Sequence, residues 1–198
     1  GNGRISVFGN DGVFIAIIGS KGVKQEQALE APVQVFVDPR ERVYVLETRD
    51  DGIVSIYDHD GTLLKRLTTD SIKKITGSSA ELSALAIDDT GLIYLADNKN
   101  GRVYQIDWQR GKMLSSFGSR GVQRGQFREI TSLAFLPGNQ LAVADSGNKK
   151  IEIYRLPETG RKALLQRRLP TVGYERTIKM KCNASYRLQG GNVLCLDN

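Results

Sequence analysis

Short runs of Val, Ile, Leu, Phe and Tyr recur along the chain, divided by clusters of Gly, Asp, Asn and Pro. Apolar and polar residues alternate within many of these runs, which marks strands, and the dividing clusters mark tight turns. The pattern also repeats at long range. LAIDDTGLIYLADNKNGRVYQID, Leu85 to Asp107, aligns with LAFLPGNQLAVADSGNKKIEIYR, Leu133 to Arg155, at an offset of 48 residues. VFVDPRERVYVLETRDDGIVSIYD, Val35 to Asp58, aligns with the first at an offset of 50, with one extra residue before Ile53. Each unit has the same order: an apolar strand, a turn, and a second apolar strand ending in an acid, which is Glu47, Asp97 or Asp145. A polar loop follows, then a third alternating strand such as RVYQI or KIEIY, a Gly turn at Gly61, Gly111 or Gly160, and a fourth strand. Helix is scarce in this reading. KQEQALEA, Lys24 to Ala31, is the best helical stretch, and it is short and reads as a loop ending at Pro32.

A sheet of four short antiparallel strands cannot bury both faces alone, and packing such sheets around an axis solves the problem. The expected fold is therefore all-β, a β-propeller of four-stranded antiparallel blades in one domain spanning residues 1–198. Blades fall at 32–67, 82–118 and 131–169. LLQRRLP, Leu164 to Pro170, is expected to be the outer strand of the last of these. GNGRISVF, Gly1 to Phe8, aligns with KNGRVYQI, Lys99 to Ile106, and NVLCLDN, Asn192 to Asn198, aligns with LIYLADN, Leu92 to Asn98. A fourth blade is thus assembled from 178–198 plus 1–19. The result is either a closed four-bladed ring or an arc of a larger propeller.

These residues also resemble a known family. LAVADSGNKKIEIY, Leu141 to Tyr154, and the linker FGSRGVQRGQF, Phe117 to Phe127, look like the NHL repeat, in which a strand ending in Ala-Asp meets an Asn-containing turn and a basic third strand. The resemblance extends over Leu82 to Tyr154 and Pro32 to Leu67, and more weakly over Leu156 to Leu188. Glu47 departs from it, standing where the pattern has Asp, and IKMKCNASYRL, Ile178 to Leu188, lacks the Pro-bearing approach to the first strand. The resemblance implies a propeller, more commonly of six blades. It is compatible with exported or membrane-anchored sensors and with cytoplasmic regulators, so the compartment stays open.

Composition narrows the chemistry. The 198 residues, 40% of them hydrophobic, suffice for a substantial core, and no apolar run approaches the roughly 18 residues a membrane span needs. The N-terminal residues lack the basic start and apolar stretch of a secretion signal. Cys182 and Cys195 have no further cysteine or nearby histidine to complete a zinc site, and read as buried small hydrophobes or as a disulfide. The single histidine, His59 in YDHDG, reads as part of a tight turn with Asp58, Asp60 and Gly61. Propeller lyases of the peptidylglycine and streptogramin types resemble this architecture but rely on several histidines. Lactonases of the gluconolactonase type hold a divalent ion with oxygen ligands, and a metal-dependent hydrolase or lyase is the minor alternative. The recurring acids Glu47, Asp97, Asp145 and Asp197 instead suit a structural role, capping N–H groups of the turn that follows each. The sequence points to no metal site, cofactor or catalytic residue.

Charge says more. Residues 1–98 carry 10 Lys and Arg against 15 acids, whereas residues 99–187 carry 18 against 6, so the net +6 conceals a strongly basic later half. In a propeller, one face carries the loops between second and third strands together with the crossings between blades. Alignment places Lys99, Arg102, Arg120, Arg124, Arg128, Lys149 and Lys150 there. Such a face suits a protein or peptide partner of acidic character, which makes a non-catalytic interaction scaffold the leading expectation. Nucleic acid is the alternative, and the resemblance permits it, since certain NHL domains bind RNA on such a face. Phe127 and Tyr174 are the main aromatic residues at hand for base stacking.

Overall fold

The computed structural model describes residues 3–19, 28–48 and 52–156, together with the backbone of strands at 173–179, 187–188 and 191–192. The chain opens with an antiparallel hairpin, β1 (Ile5–Phe8) and β2 (Phe14–Ile18). Blade I follows as β3 (Pro32–Val37), β4 (Val43–Glu47), β5 (Ile53–Tyr57) and β6 (Leu63–Leu67), hydrogen-bonded in that order. Blade II repeats the order with β7 (Leu82–Ile87), β8 (Ile93–Asp97), β9 (Arg102–Asp107) and β10 (Lys112–Phe117). A short parallel pair, β11 (Ser119–Arg120) and β12 (Gln126–Phe127), lies in the crossing to blade III. Blade III comprises β13 (Ile130–Leu136), β14 (Gln140–Asp145), β15 (Lys150–Arg155) and β16 (Gly173–Lys179). A last small hairpin joins β17 (Arg187–Leu188) to β18 (Gly191–Asn192).

Why these runs form blades is visible in their burial. In β8 every residue from Ile93 to Asp97 is buried, because the sheet of blade II has a blade on each side. One apolar layer between blades I and II contains Tyr44, Leu46, Ile56, Leu85, Leu95, Tyr104 and Trp108. A second, between blades II and III, contains Tyr94, Ala96, Val103, Phe127, Leu133, Val143 and Tyr154. Full burial of each large apolar side chain contributes about 1.5–3 kcal/mol, so these two layers hold the blades to one another.

Local geometry repeats as faithfully as the sequence. The residue entering or just before each third strand sits at positive φ: Gly3 at 56°, Gly52 at 104°, Gly101 at 61° and Lys149 at 52°. At Gly101 the requirement is double, since a Cβ would come within 2.7 Å of the Arg120 backbone. Gly3 stands before β1 as Gly101 stands before β9, in the aligned position of the repeat. Among the described residues no strand pairs with the free edge of β1, and the sheets do not close into a ring.

The structure adds two elements to the sequence reading. A helix, α1 (Thr69–Thr76), fills the crossing from blade I to blade II and buries Ile72. It had its signals: Thr68 accepts from Ser71 N at the N-cap, Asp70 and Lys73–Lys74 flank the dipole, and Gly77 closes it at φ 82°. The outer strand of blade III is β16, pairing Lys150 with Lys179 and Arg155 with Gly173, later in the chain than the expected 164–170. That segment lies outside the described residues, as do 24–27 of the weak helical stretch, Asp197, Cys182 and Cys195.

Candidate interaction face and its chemistry

Antiparallel order alone sorts the loops. Loops between second and third strands and the crossings between blades lie at one end of the sheets, and turns between first and second and between third and fourth strands lie at the other. The loop end is tied together by the recurring acids. Glu47 Oε2 accepts from Glu30 N at 2.6 Å, Asp97 Oδ1 from Glu81 N at 2.9 Å, and Asp145 Oδ1 from Glu129 N at 3.0 Å. Each acid thereby anchors the strand entering its own blade. Asp97 also accepts from Lys99 N and Asn100 N in the turn that follows it. The anchoring of the incoming strand joins residues 16 or 17 apart, which inspection of the turn alone does not reveal.

Three loops converge around the crossing from blade II to blade III. Arg120 Nη1 donates to Asn98 O at 2.6 Å, Asn98 Oδ1 accepts from Ile130 N at 2.7 Å, and Asn148 Nδ2 donates to Gly121 O at 2.9 Å. Lys99, Arg120, Arg124, Arg128 and Lys149 are exposed on these loops, and Arg102 is exposed at the start of β9. Lys150 is not. Only 8% exposed, it directs its ammonium at Gln123 O, Gln126 O and Glu152 Oε1, at 2.9, 2.6 and 2.6 Å. Glu152 in turn accepts from Gly125 N and from the Tyr154 hydroxyl at 2.7 Å. The expected surface therefore loses Lys150, whose side chain points inward as strand alternation dictates while its neighbour Lys149 stays outside. Phe127 is fully buried, so it offers no ring for stacking. Tyr174 belongs to β16, whose side chains lie outside the described residues.

Beside the cationic loops is a cleft of about 360 Å³ lined by Thr48, Glu81, Ser83, Asn98, Glu129 and Thr131, among others. Ser83 Oγ is buried there without a hydrogen-bond partner among the described residues. His59 is at the opposite end, exposed in the β5–β6 turn with Nε2 3.1 Å from Asp60 Oδ1. Among the described residues no three His, Cys, Asp or Glu side chains gather as a metal would require. None of the described helices is long and apolar enough to cross a membrane.

The turn end is acidic. Asp38 is held below the usual carboxylate range: burial pushes it up, but the Arg42 guanidinium, two backbone N–H groups and the Tyr44 hydroxyl outweigh that. Asp88 is raised by burial, which its hydrogen bonds from Thr90 and Leu92 do not offset. Glu47, at the loop end, is likewise raised by burial despite the Arg66 guanidinium 2.9 Å away.

Solved structures resemble the chain in fold. KlHsv2 with loop 6CD replaced by a Gly-Ser linker matches with a TM-score of 0.58 at 8% identity, covering 90% of this chain and 53% of that one. The nidogen/laminin complex matches at 0.53 and 17% identity, covering 77% and 51%. Virginiamycin B lyase from Staphylococcus aureus matches at 0.49 and 14% identity, covering 79% and 43%. The fold is a partial β-propeller. The chain spans about half the length of these structures, which include both a lyase and a protein complex. No protein-family model and no curated protein sequence matches the chain.

Proposed function

We propose that this propeller is an NHL-like, non-catalytic interaction module that holds an acidic segment of a protein or peptide partner on its loop end. The observation that carries this reading is the convergence of exposed Lys99, Arg120, Arg128 and Lys149 on three mutually hydrogen-bonded loops, with Arg102 exposed at the start of β9. A rigid loop frame carrying dispersed cations steers and orients an anionic partner without ordering its own side chains first. The adjacent cleft, with backbone and amide groups at Asn98 and Thr131, would seat uncharged parts of the same segment. Two of its walls, Glu81 and Glu129, carry opposite charge, which favours a partner of mixed sequence over a uniform polyanion. The burial of Phe127 weighs the same way, because it removes a base-stacking surface.

The test is fluorescence anisotropy with a labelled Asp/Glu-rich peptide, beside a single-stranded oligonucleotide of matched charge. Reversing Arg120, Arg124 and Lys149 together to Glu should weaken peptide binding about tenfold or more, with a shallow salt dependence. Preference for the oligonucleotide with a steep salt slope, or peptide binding untouched by the reversal, would sink the reading.

A further inference from the structure

Blade I contains a guanidinium site that the chain fills itself. Asp38, in the turn between β3 and β4, uses Oδ1 to accept from Arg40 N and Arg42 N at 2.9 and 3.0 Å. Its Oδ2 accepts from Arg42 Nε at 2.7 Å and from the Tyr44 hydroxyl at 3.0 Å. The guanidinium carbon lies 5.3 Å from the ring centroid of Trp108, supplied by the next blade. Blade II rebuilds the same frame one repeat on. Asp88 Oδ1 accepts from Thr90 N and Leu92 N at 2.9 and 3.0 Å, Tyr94 stands where Tyr44 stood, and Leu156 takes the place of Trp108. The position of Arg42 is now Leu92. Asp88 Oδ2 is consequently shielded from water with no hydrogen-bond partner among the described residues, and burial raises the carboxyl's proton affinity. Against this frame lies a cleft of about 250 Å³, lined by Asp88, Asp89, Tyr94, Phe135, Asn139 and Leu156, among others.

We propose that this cleft between blades II and III, on the end of the propeller opposite the basic loops, receives an arginine side chain from a partner polypeptide. A guanidinium fits for stated reasons. Its planar fork matches a carboxylate, as the Arg42–Asp38 pair demonstrates within the same molecule, and its weakly hydrated faces suit the Tyr94 and Phe135 rings. In the equivalent turn Asp38 meets its guanidinium through Oδ2 while Oδ1 keeps the turn N–H groups, and Asp88 has the same division of its two oxygens. A divalent cation fits poorly, because the Asp88 carboxylate already spends one oxygen on its own turn.

The experiment titrates Nα-acetyl-arginine methylamide, and its citrulline counterpart, into isotopically labelled protein. Saturable amide shifts around Asp88 to Tyr94 at millimolar arginine amide are expected, with none for citrulline. Asp88→Asn should weaken binding about tenfold or more, and Leu92→Arg should abolish it while raising the melting temperature, because the new side chain fills the site. Equal response to citrulline, or undiminished binding by Asp88→Asn, overturns the proposal. So does a wild type that shows no saturable shifts with the arginine amide.

Discussion

At the scale of single residues, two aspartates in equivalent turns have opposite energetics. Asp38 faces a buried guanidinium, and its side chain is 1% exposed. Asp38→Asn should cost about 3 kcal/mol or more by leaving Arg42 buried without its counter-charge. Asp88→Asn should change stability by less than about 1 kcal/mol, because the carboxylate oxygen it replaces has no hydrogen-bond partner among the described residues. The pH dependences differ in sign. Burial raises the Asp88 carboxyl, so the folded state holds that proton more tightly than the unfolded chain. Stability from this group is complete below an ordinary aspartate pKa of about 3.9 and lost as pH rises through the raised value. Asp38 is depressed, so its contribution is present above about 3.9 and lost as pH falls through its folded value. Chemical denaturation of wild type and both variants across acidic to neutral pH checks the pair. Asp88→Asn should gain relative to wild type toward neutral pH, whereas Asp38→Asn should lose. The lysine pair divides similarly: Lys150→Met should cost about 3–5 kcal/mol by removing the buried ammonium that Glu152 and the Gln123 and Gln126 carbonyls share, whereas Lys149→Glu should alter partner binding and leave stability within about 0.5 kcal/mol.

At the scale of elements, the strands were legible because their information is local. Period-two alternation and turn residues every few positions place β3 to β10 and β13 to β15 close to where they fall. The helix α1 is not legible in the apolar pattern, although its cap residues stand in the sequence, because eight residues in a crossing carry too few apolar positions to announce a period. Its one buried side chain, Ile72, finds its partners only in the blade I–II layer. Thr68→Ala should therefore lower stability by about 0.5–2 kcal/mol in thermal unfolding, a cap's ordinary contribution, without altering the sheets. The outer strand of blade III escaped for a related reason. Basic outer strands carry little apolar pattern, and which segment pairs with β15 is decided by hydrogen bonding to an edge.

At the scale of the molecule, the incomplete blade leaves apolar surface. Val33, Val35 and Val37, on the face of β3 turned away from blade II, are 52%, 48% and 64% exposed. Gln34 and Phe36, on the other face, reach blade II, Gln34 by accepting from Leu85 N at 2.8 Å. Covering that face takes a further sheet, which the described residues do not supply.

The sequence by itself determined most of the strands of the three blades, the repeat of about 50 residues, and the recurring acids Glu47, Asp97 and Asp145, because each depends on residues close together in the chain. Only the tertiary structure decided which charges are surface. Lys149 and Lys150 are adjacent in a basic stretch, yet one faces solvent and the other is consumed by carbonyls 24 and 27 residues away. Likewise Asp38 and Asp88 are equivalent in the repeat, and what separates them is whether a guanidinium lies within reach. Such pairing depends on which side chains the blades bring together, a property that neither local pattern nor repeat spacing encodes.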